Sequence, residues 1–222
     1  MKIFAINGSP RKKGNTATVL THAVAGASEA GAETELIHLT EYTFSGCKSC
    51  FACKKIDGKS HGRCALKDDL TQVLQRLHTE ASALIVGAPV YFSTASSLLA
   101  AFNERLYFPY FTYNAEKPSS FPRSIPSGHI FTMNVTEEQA KEWHYDITLA
   151  PGPRFAQTIF GQEPLIFKVY NTYQFSDYSK YDSSVFSEPD KARWRDEHFP
   201  QDCQQAFSLG RTIAQSTGIR TN

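Results

Sequence analysis

The chain has 222 residues, 41% apolar and 20% charged, with a formal net charge of +1. This is enough chain for a sizeable core, its ordinary globular composition excludes global disorder, and its near-neutral charge provides no global field to draw nucleic acid or an anionic membrane. No apolar run approaches the roughly 20 residues that span a bilayer, and the start, MKIFAINGSP, lacks the apolar stretch and cleavage site of a signal peptide, so a cytoplasmic protein with no nucleic-acid and no membrane partner is expected.

Residues 2–6 (KIFAI) form a short apolar run ending at Asn7-Gly8, a first strand of a buried sheet. The segment INGSPRKKGNT follows. From Asn15 the pattern is helical, with Val19, Leu20, Ala23, Val24 and Ala27 on one face and Gly31 as a stop. Residues 34–39 (TELIHL) are a second strand, and 47–64 are loop. Asp68-Asp69 reads as a helix start with acids in the first turn, ahead of the stripe Leu70, Val73, Leu74, Leu77. Residues 83–87 (ALIVG) are a third strand, 96–106 a helix, 129–134 (HIFTMN) a fourth strand and 165–170 (LIFKVY) a fifth. Residues 187–217 are mostly helix, interrupted near Pro200. Alternation of strand and helix predicts right-handed βαβ units and a parallel sheet covered on both faces. There is no repeat, low-complexity tract or linker. One domain is expected over 1–222, with insertions at 107–126 and 170–190 lying over it.

The loop after the first strand stands where a doubly wound sheet holds phosphate, at a helix N-terminus above the carboxyl ends of the strands. It is not a P-loop, because no Lys precedes Thr16, and it is not a GxGxxG dinucleotide loop. What remains is a nest with hydroxyls from Ser9 and Thr16, an amide from Asn15, charge from Arg11 and a flexible Gly14, suited to a phosphate monoester. The plainer reading is a helix start capped by Asn15 or Thr16, with Ser9-Pro10 as a turn. After the third strand, Pro89-Val90-Tyr91-Phe92 offers a flat rim with free N–H groups. Such a rim suits an isoalloxazine ring, or else it is an ordinary strand-to-helix connection.

Together, GSPRKKGNT and GAPVYFSTASSLLAAFNERL resemble the NADPH-dependent FMN reductase-like family of the flavodoxin-like fold, over roughly the first half of the chain. The resemblance implies an α/β three-layer sandwich, with a five-stranded parallel sheet in order 2-1-3-4-5. It implies noncovalent FMN and a homodimer or homotetramer. Carried onto this sequence, Ser9, Arg11, Gly14, Asn15 and Thr16 would hold the ribityl phosphate, Pro89, Val90, Tyr91 and Phe92 would border the ring, and Thr132, Met133 and Asn134 would be rim residues. NAD(P)H would be the co-substrate, and a quinone, a flavin or a redox protein the electron acceptor.

Five cysteines, in an odd and clustered set, argue against a disulfide scaffold. CKSCFACKKIDGKSHGRC carries Cys47, Cys50, Cys53 and Cys64, and its CxxCxxC resembles the run that wraps a [4Fe–4S] cluster. It also resembles the iron–sulfur flavoproteins, a branch of the same family, in its place after strand two. The ten residues between Cys53 and Cys64 exceed that branch's usual gap, although Gly58 and Gly62 would let the loop fold back. Zinc and free thiols are the other readings, the latter favoured as thiolates by Lys48, Lys54, Lys55 and Lys59 if these lie close. Cys203 reads as a core or interface residue. The aromatic stretches 106–113 and 170–181 read as a lid, a subunit interface or simple packing. His144 reads as a surface or core residue without a catalytic role.

Overall fold

The computed structural model describes residues 1–217; the five remaining residues of the expected 1–222 domain lie outside the description. Five strands make a parallel sheet: β1 (Lys2–Asn7), β2 (Glu33–His38), β3 (Ala81–Tyr91), β5 (Ser127–Thr132) and β6 (Leu165–Val169). A two-residue strand, β4 (Thr94–Ala95), pairs antiparallel with the end of β3. The order is β2-β1-β3-β5-β6, which is the expected 2-1-3-4-5 once β4 is set aside. The chain enters on β1, winds outward to β2, then crosses back to β3. That reversal opens a crevice between the carboxyl ends of β1 and β3.

Both faces of the sheet are covered, and the side-chain alternation of a strand decides which residue meets which layer. Ile3 and Ala5 pack with Val19, Leu20, Ala23 and Ala27 of α1 (Asn15–Glu29), and with Ala206 and Ile213 of α8 (Phe199–Ser216). Phe4 and Ile6 point the other way. They meet α2 (Leu70–Glu80), α3 (Ser97–Tyr110) and α6 (Pro151–Phe160) through Leu70, Leu77, Phe102, Leu106, Ile159 and Phe160. Among the described residues, no helix is long and apolar enough to cross a membrane.

Several boundaries differ from the sequence reading. The acids before α2 do not enter its first turn. Asp68 instead pairs with Arg105, whose side chain is fully buried, and Asp69 accepts the Thr43 N–H at 2.8 Å. Residues 107–110 belong to α3, not to an insertion: Pro109 forfeits one backbone donor near the helix end, while Tyr107 and Tyr110 bury their rings. Helices α4 (Glu137–Glu142), α5 (Tyr145–Thr148) and α6 went unread between the fourth and fifth strands. Two prolines mask the start of α6, yet both sit in its first turn, where no N–H partner is lost. The break near Pro200 is as expected: α7 (Glu188–Glu197) ends at His198 and α8 begins at Phe199.

Helices α1 and α8 touch backbone to backbone. A Cβ at Gly26 would lie 1.9 Å from the Phe207 carbonyl oxygen, and one at Gly210 would lie 1.8 Å from that of Ala23. An exposed helical Gly→Ala change gains roughly 1 kcal/mol of helix propensity. Here the overlap reverses the sign: Gly26→Ala or Gly210→Ala forces the helices apart and should cost at least about 1–3 kcal/mol, read from denaturant unfolding. An increase in stability for either variant would refute the contact.

Candidate functional site

The crevice at the β1/β3 reversal is a cleft of about 1070 Å³. Its floor comes from the loop between β1 and α1. Gly8 N–H donates to the Gly87 carbonyl at 2.8 Å and locks that loop to β3. Helix α1 then begins with Gly14 in the N-cap position and no side-chain cap, so the plain reading of a cap by Asn15 or Thr16 does not hold. Both residues lie inside the first turn instead. The N–H groups there have no intrahelical acceptor, and their dipoles point at the cleft, an arrangement that favours an anion.

Ser9, Arg11, Gly14, Asn15 and Thr16 all border the cleft, as do Pro89, Val90, Tyr91, Phe92, Thr132 and Asn134. Thr16 and Thr132 hydroxyls bond to each other at 2.7 Å, tying α1 to β5. Met133 is the exception among the expected residues. Its side chain turns into the cluster of Phe131, Ala140, Tyr145 and Leu149 and is 2% exposed, because odd and even positions leave β5 on opposite faces. Asn134 reaches the rim but is already engaged, donating to Gln174 Oε1 at 2.8 Å and accepting from the Lys191 ammonium. Burial lowers the Lys191 pKa to about 8.

The far wall comes from the stretch expected to be an insertion serving as a lid, a subunit interface or simple packing. Residues 172–176, together with Tyr181, Asp182, Phe186 and Arg195, line the same cleft as the β1–α1 loop. Arg11 donates to the Gln174 carbonyl at 2.9 Å, and Asn15 Nδ2 to the Tyr173 carbonyl at 2.9 Å. The wall is braced by aromatic contacts, Phe175 stacking on Tyr181 at 4.3 Å, and by the Tyr173 hydroxyl donating to Glu188 at 2.7 Å. Its signal in the sequence was the run YNTYQFSDYSKY, whose rings clamp a segment with almost no regular structure.

Opposite stands the β3–β4 hairpin. Tyr91 pairs with Thr94, leaving Phe92-Ser93 as a two-residue turn with φ of 48° and 65°. That turn needs left-handed backbone at both positions, normally supplied by Asn and Gly. Phe92 takes it while fully exposed, so nothing in the protein's own packing repays the strain.

The cysteine loop lies beside α3. Cys47, Cys50, Cys53 and Cys64 all border one small recess. The Gly62 N–H donates to the Cys53 carbonyl at 2.9 Å, and Gly62 has φ of 71°, so the loop folds back as the glycines suggested. Arg105 Nε donates to Cys64 Sγ at 2.8 Å, and the Ser49 N–H to Cys47 Sγ at 3.4 Å. Thiols meeting N–H and guanidinium donors fit a thiolate-held group. Among the described residues, however, no three His, Cys, Asp or Glu side chains converge on a point where a metal ion would sit. Lys54 gives the thiols charge but no hydrogen bond: its ammonium donates to the carbonyls of Phe108, Pro109 and Phe111 at the end of α3. Burial raises the Cys53 thiol despite that nearby charge. Cys203 is buried in α8, as expected.

The sequence model of the NADPH-dependent FMN reductase family matches residues 1–121. An iron-sulfur flavoprotein of Archaeoglobus fulgidus is 39% identical over 99 residues, 45% of this chain and 45% of that protein. One from Methanocaldococcus jannaschii is 36% identical over 105 residues, 47% of this chain and 51% of its own length. The chain spans about half the length of the curated relatives it matches. Among solved structures, an NAD(P)H:quinone oxidoreductase from Methanothermobacter marburgensis superposes with a TM-score of 0.69 at 16% identity, covering 96% of this chain and 98% of that one. An azoreductase from Bacillus anthracis gives 0.62 at 13% identity, covering 96% and 99%. At these identities the structures share the flavodoxin-like fold with this chain and carry no more than that.

The strain at Phe92 is measurable. A left-handed backbone costs most residues roughly 1–2 kcal/mol and Asn less. Phe92→Asn should therefore raise the Tm of the ligand-free protein by about 2–4 °C, followed by calorimetry. A lower Tm would mean that the ring makes stabilising contacts.

Proposed function

The chain belongs to the NADPH-dependent FMN reductase family, and from that premise we propose that it is an FMN-dependent oxidoreductase that oxidises NAD(P)H and passes electrons to a small acceptor such as a quinone or a flavin. The observation that carries this reading is the uncapped first turn of α1, with Arg11, Asn15 and Thr16 around it, facing the Pro89–Phe92 edge across one cleft. A phosphate monoester there would accept from the first-turn N–H groups and the Ser9 and Thr16 hydroxyls, with Arg11 supplying charge. A flat ring would lie along Pro89, Val90, Tyr91 and Phe92, with Thr132 and Asn134 at its rim. Bound there, FMN supplies hydride and single-electron chemistry at its ring, and the protein supplies binding, orientation and exclusion of water. No side chain need carry a proton, so none is named catalytic.

Arg11 and Asn15 have two possible partners, the phosphate and the carbonyls of Gln174 and Tyr173. In this reading the phosphate competes with the aromatic wall for those two side chains. The exposed Phe92, Tyr181 and Val185 offer apolar surface for the proposed homodimer or homotetramer.

A second reading, an electron-transfer protein of the iron-sulfur flavoprotein type with a redox-protein partner, is favoured by the recess that Cys47, Cys50, Cys53 and Cys64 share and by the names of the relatives. A [4Fe–4S] cluster held by those four thiolates would supply one-electron transfer near the surface.

Arg11→Ala and Thr16→Val should each weaken FMN binding by roughly tenfold to a hundredfold, the scale of one hydrogen bond to a charged acceptor, measured by flavin fluorescence titration. Unchanged affinity in both would remove the cleft from consideration. Anaerobic mixing with NADPH separates the two readings: rapid bleaching of the flavin absorbance supports the reductase, while bleaching only by a chemical reductant or a redox protein supports the carrier. Loss of a broad visible shoulder in Cys50→Ala, with the flavin bands kept, is the expected result for a cluster. Identical spectra would leave the thiols free.

A further inference from the structure

A second cavity, of about 830 Å³, opens on the other side of the β3–β4 hairpin, between α3, α6 and the cysteine loop. It shares no lining residue with the FMN cleft. Its wall is mainly apolar, with Phe108, Phe111, Phe131 and Phe155 around it. Three polar atoms in that wall are buried without a hydrogen-bond partner: Asn103 Oδ1, the Tyr107 hydroxyl and His129 Nδ1. Tyr107 is 6% exposed and His129 is 1% exposed, so bulk water does not serve them.

An unpartnered buried polar group costs about 1–3 kcal/mol, and native proteins keep few of them. Two other such atoms, on Ser127 and Trp194, lie outside this cavity. All three belong to residues that line one cavity, where they lie just beneath its surface, and the set implies something that would complete it. A largely apolar pocket with a few convergent polar groups is the usual form of a small-molecule site.

The chemistry of the wall narrows the occupant. Glu104 is the one formally charged residue lining the cavity, and its carboxylate already accepts the Cys47 N–H at 2.9 Å. Burial keeps the His129 ring neutral, its pKa falling to about 3, and holds the Tyr107 phenol protonated. An ionised ligand would therefore go into an apolar enclosure without a counter-charge, which is unfavourable. Asn103 Oδ1 takes only a donor, whereas the Tyr107 hydroxyl can also give a hydrogen bond. A ligand hydroxyl satisfies both at once.

We propose that this cavity binds an uncharged aromatic molecule bearing a hydroxyl group, with its ring among the phenylalanines and its hydroxyl on Asn103, Tyr107 and His129. The site stands apart from FMN and does not depend on the FMN reading.

The test is calorimetric titration of the protein as purified with 2-naphthol. The expected result is saturable one-to-one binding. It should be weaker by roughly tenfold for 2-methoxynaphthalene, which cannot donate, and weaker again for ionised 2-naphthoate. Tyr107→Phe and Asn103→Leu should each weaken 2-naphthol by roughly threefold to tenfold. Ala100→Trp, placed on an exposed helix position at the cavity edge, should abolish binding with an unchanged melting temperature. Absence of saturation overturns the proposal. So does binding that survives Ala100→Trp, which would put the probe elsewhere, such as over the flavin. A wild-type dimer that takes up 2-naphthol only when diluted to monomer, read by sedimentation and titration across protein concentration, would assign the cavity to a second copy of the chain and also overturn it.

Discussion

The direction in which α1 points governs the rest of the site. The helix is fixed from behind by α8, with no side chain between the two backbones at Gly26 and Gly210, and from the front by the Thr16–Thr132 hydroxyl pair. Gly8, bonded to Gly87, sets the short loop that feeds it. Three contacts, spread along the chain from residue 8 to residue 210, thus aim one bare helix terminus at the mouth of the β1/β3 crevice. A helix free to pivot would spread its first-turn donors over solvent, where water serves them as well as any anion. Held in place, they are an oriented partial charge whose reorganisation cost was met during folding.

The two faces of the cleft are built on different physical terms. On one side stands a sheet edge with a strained turn, whose exposed ring gains nothing from its own chain. On the other is a segment with little regular structure, kept in shape by stacked and edge-on aromatic rings and by the Arg11 and Asn15 bonds. Local stability follows contact, so the second wall is the part with more to rearrange. The first keeps its form through the β3–β4 pairing.

Much of this was legible in the residues. The apolar runs that became β1, β3 and β5 are short and continuous, the signature of strands buried on both faces, and the sheet order followed from recognising two loops; the run that became β6 is as apolar but lies at the sheet edge with Leu165 and Ile166 exposed. The residues of the β1–α1 loop and the 89–92 edge could be placed together on one cleft because both loops sit immediately after strands, where position alone fixes where they point. Three kinds of feature were not legible. Met133 was placed by the family resemblance, but the alternation that continues past the end of β5 buries it. Helix α6 was hidden by prolines that are harmless in a first turn. The partners of Asp68, Asp69 and Lys54 are tertiary, with Arg105, Thr43 and the end of α3 far along the chain, and no local pattern announces them. The second cavity belongs with these, since Asn103, Tyr107 and His129 meet only through the crossing of α3 with β5.

The bond from Gly62 back to the Cys53 carbonyl means that the chain leaves Cys53, makes an excursion and returns to the point of departure before reaching Cys64. Distance along the chain there says little about distance in space. Lys54 anchors the departure on α3 and Arg105 the return at Cys64, while the residues between carry turns closed mainly by their own backbone. Since closing a longer loop costs only slowly growing entropy, the length of this detour bears little on where Cys53 and Cys64 sit, which the clasp at its base decides.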